Sequence, residues 1–226
     1  MNKIPVYFMP GLAASSQIFE NIKLPLDQFD MYYLEWFLPL DNEPLEAYAG
    51  RMAQNIKHDN AVLIGVSFGG ILVQEMAKLI RVQKVIIISS VKSNVEFPQR
   101  MKMAKATQLY KILPTGWLSD IEKLSKFAFG SLAKNRIALY RKFLTLNDKK
   151  YLDWALEQII CWKQQVEDSS VLHIHGDNDS VFPVKNIRNY IPVKGGTHVM
   201  IVNKFKWLNE HLPGIILNGV TKDSIS

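Results

Sequence analysis

The sequence predicts an α/β protein: a compact, mostly parallel six-stranded sheet with helices on both faces, and a helical segment inserted between the fourth and fifth strands. Three observations carry that prediction. Six short runs rich in Val, Ile and aromatic residues are spaced along the chain. Helical periodicity fills the gaps between several of them, and strand alternating with helix is the rhythm of a parallel sheet. One stretch, 91–170, contains no convincing strand and breaks that rhythm.

The strands are read at "IPVYFM" (4–9), "MYYLEW" (31–36), "AVLIGV" (61–66), "KVIIIS" (84–89), "VLHIH" (171–175) and "NYIPVK" (189–194). Between the second and third, Leu45, Tyr48, Ala49, Met52 and Ile56 share one helical face, with Asn42 as cap and Pro44 in the first turn. Between the third and fourth, Leu72, Met76, Leu79 and Ile80 make an inner stripe while Gln74, Lys78 and Arg81 face outward. A last helix near 203–212 is expected to end at Pro213. Within 91–170, "SDIE" at 119–122 is a capping box. Leu152, Leu156, Ile159 and Ile160 form a stripe beneath exposed Lys149, Lys150, Asp153 and Glu157. Three or four helices are expected there. They emerge at the carboxyl edge of the sheet, where open α/β proteins bind ligands, so the segment is placed to act as a lid. The division is therefore 1–90 with 171–226 as core, and 91–170 as lid.

Composition excludes several classes. A chain of 226 residues that is 48% hydrophobic suits one domain with an insertion, and folding buries roughly 70 to 75% of its extended surface. Cys161 is the only cysteine, so no internal disulfide forms and a reducing, cytoplasmic setting is expected. The opening "MNKIPVYFMPGLAASS" is interrupted by two prolines and reads as the first strand and its loop rather than a signal peptide. No other apolar run reaches the roughly 18 residues of a membrane span. The net charge is +6, and residues 91–170 carry 14 basic against 8 acidic side chains, while the rest holds 13 of each. A surplus confined to one helical segment is read first as a solvated surface, with attraction of an anionic substrate as the alternative. No nucleic-acid partner is expected.

The chemistry centres on "GVSFGG", residues 65–70, which follows a predicted strand and opens a predicted helix. It fits G-x-S-x-G with Ser67 in the middle. A nucleophile on so sharp a turn adopts a strained backbone, and the flanking positions must lack side chains for strand and helix to meet. The helix beginning near Phe68 aims free N–H groups and a positive dipole end at negative charge forming beside Ser67. A serine hydroxyl needs a positioned base, and the base an orienting acid. "HGDNDSVFP" places Asp177 and Asp179 after the fifth strand, and "GGTHVM" places His198 after the sixth. The order Ser, Asp, His is that of the α/β-hydrolase arrangement.

With "YFMPGL", "GVSFGG", "HGDNDSVFP" and "GGTHVM" in order at strand ends, the chain resembles the α/β-hydrolase superfamily over nearly its whole length. The resemblance implies Ser67 as nucleophile, His198 as base and Asp179 as acid, since "GDNDSVFP" fits G-x-x-D-x-x-x-P. Asp177 would then shape the turn through local backbone bonds. It also implies an oxyanion hole from the N–H groups of Leu12 and Phe68. The sequence departs from the superfamily's common pattern at Met9, where many members have His before the Gly, which leaves the bracing of that loop unassigned.

Other polar groups receive plainer readings. His173, His175 and Asp177 spell H-x-H-x-D, but Asn178 follows where a dinuclear metal motif wants histidine. Both histidines are read as strand residues satisfied within the core or its rim, and neither metal nor cofactor is expected. His58 and His211 sit at helix ends, and Glu35 and Asp41 at strand ends, as rim residues. Glu96 is the one alternative acid. Cys161 is read as a buried or half-buried lid residue, and Trp117, Trp154 and Trp162 as lining an acyl pocket or packing the lid. The function expected is a serine hydrolase that cleaves an ester or thioester of small to medium acyl size through an acyl-enzyme on Ser67. Acyl transfer or peptide cleavage on the same triad is the second reading, and a ligand-binding module without turnover the third. Nothing in the sequence fixes the oligomeric state.

Overall fold

A computed structural model describes residues 3–108 and 142–219 of the chain. Its centre is one sheet of six strands, β1 (Ile4–Met9), β2 (Phe29–Tyr33), β3 (Ala61–Val66), β4 (Val82–Ile88), β5 (Leu172–Gly176) and β6 (Ile191–Val193). They lie in the order β2-β1-β3-β4-β5-β6, and every pairing is parallel. All six predicted strands are present, shifted by at most a few residues at their ends. The central run "AVLIGV" is buried at every position. A strand covered on both faces gains by being apolar throughout, at roughly 1.5 to 3 kcal/mol per large aliphatic side chain.

The order shows where the chain reverses. From β1 the chain steps outward to β2, whereas from β3 it steps the other way to β4. Right-handed crossovers therefore leave β1 and β3 toward opposite faces. The crevice beyond the carboxyl ends of β1 and β3 is the topological switch point, where no crossover blocks the approach of a ligand.

Two helices follow β2 and β3, α1 (Leu45–Ala53) and α2 (Phe68–Ala77), and they pack on each other. The Leu45, Tyr48, Ala49 and Met52 face is buried as its spacing requires. The cap differs from expectation: Pro44 holds the N-cap position, and Asn42 sits two residues before it with a left-handed φ of 55°. The stripe on α2 also needs correction. Leu79 lies beyond the helix and is 54% exposed, while Gln74 is buried. Gln74 is held inside because its amide donates to the carbonyls of Gly70 and Val91, which satisfies a buried polar group.

The 91–170 segment contributes α3 (Gln99–Thr107) and α4 (Lys149–Cys161) among the described residues. The capping box at 119–122 and Trp117 lie outside them. The stripe of Leu152, Leu156, Ile159 and Ile160 is buried on α4, and the Asp148 side chain caps that helix by accepting from the Tyr151 N–H. Trp154 donates its indole N–H to the Glu43 carbonyl and Trp162 to the Glu75 carboxylate. These two rings pack the segment onto α1 and α2. Cys161 is half-buried.

The last helices among the described residues are α5 (Met200–Asn203) and α6 (Phe205–Asn218). The expected stop at Pro213 does not occur, because α6 runs through it. Leu212, Ile215 and Ile216 are buried on either side of that proline, and their packing outweighs the lost hydrogen bond.

Candidate active site

Four loops leave the carboxyl ends of β1, β3, β5 and β6 and meet at the switch point. The tightest is the turn from β3 into α2. Ser67 stands at the N-cap of α2 with φ 52° and ψ −118°, and its side chain makes no cap hydrogen bond. The backbone N–H of Ser67 still joins the sheet through the Ile88 carbonyl at 2.9 Å, and the Ser90 hydroxyl donates to the Ser67 carbonyl at 2.7 Å. The residue is thus locked between sheet and helix while its hydroxyl is left out of the helix cap. A side chain on Gly65 would meet the Gly69 carbonyl at 2.3 Å, and one on Gly69 would meet the Pro10 carbonyl at the same distance. Both obstacles are backbone and cannot swing away, so these two positions must be glycine.

The hydroxyl of Ser67 lies 2.9 Å from His198 Nε2, and His198 Nδ1 lies 2.9 Å from Asp179 Oδ2. Asp179 is 4% exposed. Its other oxygen accepts the backbone N–H groups of Val181 and Phe182 at 2.8 and 2.9 Å. An ionised carboxylate accepts from every side here, so the imidazole carries its proton on Nδ1 and turns a bare Nε2 toward the serine. Burial raises the Asp179 pKa, but the nearby His198, its hydrogen bond, His175 and the Phe182 N–H together outweigh that and hold it below the usual carboxylate value.

The other sequence candidates go elsewhere. Asp177 accepts the Gly195 N–H at 2.7 Å, tying the β5 loop to the β6 loop. That bond reaches across loops, not within a local turn as expected. Glu96 accepts the backbone N–H groups of Arg188 and Lys92 at 3.0 and 2.6 Å, and burial raises its pKa. It works as a clamp between backbone segments. Glu35 accepts the Ser16 N–H, Asp41 pairs with Lys150, and His58 bonds the Tyr7 hydroxyl.

His173 and His175 lie in β5, both buried. The Phe182 carbonyl can only accept, so His175 carries its proton on Nε2, 2.9 Å away. Its Nδ1 then accepts from His173 Nε2 at 3.0 Å. Their ring nitrogens are turned to each other and to backbone, except that His173 Nδ1 has no partner among the described residues. The expectation that both are satisfied therefore holds for His175 only. Burial pushes both pKa values below the ordinary histidine range, His173 most.

The loop after β1 presses against the serine. A side chain on Gly11 would stand 3.4 Å from Ser67 Cβ. Gly11 and Ala14 close a turn through the Ala14 N–H and the Gly11 carbonyl, with Ala13 at φ 59°. The turns and caps of the described residues use neither the Leu12 N–H nor the Phe68 N–H. Two residues unmarked by the sequence reading also reach this loop. The Tyr151 oxygen of α4 accepts the Ala13 N–H at 3.2 Å, and the Trp36 indole donates to the Gly11 carbonyl at 2.8 Å. No motif announces either, because the contacts join segments 25 and 138 residues apart.

Sheet order, turn and loop positions define the class: the chain has the α/β-hydrolase fold. Among solved structures it is similar to an enol-lactonase from Burkholderia xenovorans LB400, with a TM-score of 0.72 and 14% identity over 96% of this chain and 92% of that one. It is similar to a carboxylesterase structure from the thaumarchaeon Nitrososphaera gargenis, with a TM-score of 0.70 and 17% identity over 97% and 93%. A thermophilic esterase from Thermogutta terrifontis matches with a TM-score of 0.67 and 14% identity over 97% and 92%. No protein-family model and no curated protein sequence matches the chain. At these identities the likeness is one of fold.

Proposed function

We propose that the protein is a serine hydrolase that cleaves esters or thioesters of small to medium acyl size through an acyl-enzyme on Ser67. The observation that carries this reading is the unbroken relay from the Ser67 hydroxyl through His198 to the buried, ionised Asp179. In the first half-reaction the Ser67 oxygen attacks the acyl carbonyl while its proton moves to His198 Nε2. The carbonyl oxygen becomes an oxyanion that accepts from the N–H groups of Leu12 and Phe68. Collapse expels the leaving group, which takes the proton back from His198. Water then attacks the acyl-enzyme and gives its proton to the same nitrogen; the bond from the Ser67 oxygen to the acyl carbon breaks, that oxygen takes the proton back and the acid leaves. Asp179 stays ionised throughout, orients the imidazole and stabilises its cation.

The 91–170 segment serves in this reading as a lid, and its described part supports that by reaching the β1 loop through Tyr151 and through a bridge between Ala14 and Leu144. Among its described residues, Lys142, Lys149, Lys150 and Lys163 pair with carboxylates at the surface, and the buried Lys92 pairs with Glu167. No helix among the described residues is long and apolar enough to cross a membrane.

The test is a panel of p-nitrophenyl esters of increasing acyl length, run beside acyl thioesters, on the wild-type protein and Ser67→Ala. The reading expects turnover of short and medium acyl groups, reduced about 10⁴-fold or more in Ser67→Ala. Wild-type rates in the variant would refute it, and a folded wild-type protein inert on the whole panel would favour a binding module.

A further inference from the structure

The loop that carries Leu12 has no side chain from its own segment to hold it, since the position before "PGL" is Met9, an apolar residue buried in the core. Its orientation nevertheless decides whether the Leu12 N–H faces Ser67. The peptide that joins Gly11 to Leu12 is planar, so its C=O and its N–H point in opposite directions. Whatever fixes the Gly11 oxygen fixes the Leu12 hydrogen.

We propose that Trp36 is the positioning residue of the oxyanion hole, holding the Gly11–Leu12 peptide by its indole N–H and the Phe68 side by its ring face. The inference rests on the oxyanion assignment made above. Trp36 leaves the sheet just after β2 and is 8% exposed. Its Nε1 donates to the Gly11 carbonyl at 2.8 Å, where the Ala14 N–H donates as well at 3.1 Å. Both lone pairs of that oxygen are engaged, which locks the peptide plane and polarises its N–H toward the site. The same indole lies flat on the Phe68 ring, with centroids 4.8 Å apart and planes 9° from parallel. Phe68 supplies the other N–H. One rigid, bicyclic side chain therefore spans both donors, and two rotatable bonds fix its position, so little freedom remains to be lost when charge develops. Tyr48 and Tyr151 press on the indole from the sides at 6.0 and 5.6 Å.

A residue that orients transition-state donors changes kcat and leaves substrate binding alone. Trp36→Phe keeps a ring against Phe68 and removes the N–H. It is measured on one activated ester, together with the inhibition constant of a trifluoromethyl ketone, whose hemiketal oxyanion on Ser67 occupies the same hole. The expected result is a kcat lower by about 10- to 100-fold, a KM within about twofold, and ketone binding weakened by the same factor as kcat. A kcat within about twofold of wild type, or a loss of kcat with unchanged ketone affinity, overturns the proposal. Ser67→Ala is run in parallel: if it is inactive while Trp36→Phe is fully active, only the role of Trp36 fails, and if it is active, the acyl-enzyme reading and this inference fall together. Should Trp36→Phe not fold, the wild-type protein decides. Its Trp36 indole N–H resonance must shift when the ketone adduct forms, and an unmoved resonance overturns the proposal.

Discussion

Ser67 sits in a backbone region that residues with a side chain rarely occupy, at a cost of roughly 1 to 3 kcal/mol. That cost predicts a difference between two inactive variants. Ser67→Ala keeps the strain, whereas Ser67→Gly relieves it, so the glycine variant should be about 1 kcal/mol more stable in urea denaturation. An alanine variant as stable as the glycine one would contradict the strain argument. The two aspartates separate in the same manner. Asp179→Asn presents a neutral amide to His198 Nδ1 and should lower kcat by about 10⁴-fold. Asp177→Asn loses the charge on a loop-to-loop bond and should lower kcat less than about tenfold, with the larger effect on the melting temperature; steady-state kinetics on matched variants decides the ranking. The buried histidines add a pH dependence. Because His173 and His175 have lowered folded-state pKa values, the unfolded chain binds more protons below about pH 6.5, and stability falls as pH drops below that point. Asp179 adds stability that is full above the ordinary carboxylate range and is lost as pH falls through its depressed value. His173→Gln keeps a donor for His175 and removes one titrating group, so its stability between pH 7 and 5 should lose slope by up to about 1.4 kcal/mol per pH unit. An unchanged slope in urea titrations would show that His173 is not the group responsible.

At the scale of elements, the turn between β3 and α2 is where the local code is strictest. Gly65→Ala drives a methyl group into the Gly69 backbone, and the expected outcome is a loss of more than about 3 kcal/mol or failure to fold, measured by urea denaturation. The motif was legible because that steric demand leaves glycine no substitute, and the strands were legible because β-branched runs buried on both faces have no polar alternation to blur them. Boundaries were less so. Pro213 reads as a stop by its own chemistry, yet flanking apolar residues carry α6 through it. Gln74 reads as solvent-facing, yet the Gly70 carbonyl one turn back and the Val91 carbonyl beyond β4 draw its amide inward. Trp36 and Tyr151 were invisible for a related reason: each reaches by a hydrogen bond a loop that only the tertiary fold brings near. Sequence pattern records what a residue needs from its own element, and these residues are defined by what another element needs from them.

For the whole molecule, the reversal of strand order between β1 and β3 brings the Ser67 turn and the loop of Leu12 side by side, and the β5 and β6 loops bring Asp179 and His198 to the same edge. The order Ser, Asp, His along the chain is a consequence of strand order across the sheet. Trp154 and Trp162 dock α4 and its end on the α1 and α2 region. The central claim is that this convergence makes Ser67 a nucleophile. The most direct measurement is peptide mapping by mass spectrometry after the folded protein reacts with a fluorophosphonate. The account predicts one adduct, on the Ser67 hydroxyl, with labelling abolished in Ser67→Ala and greatly slowed in His198→Gln. Label absent from the folded wild-type protein, or carried on another residue and retained in Ser67→Ala, would contradict it.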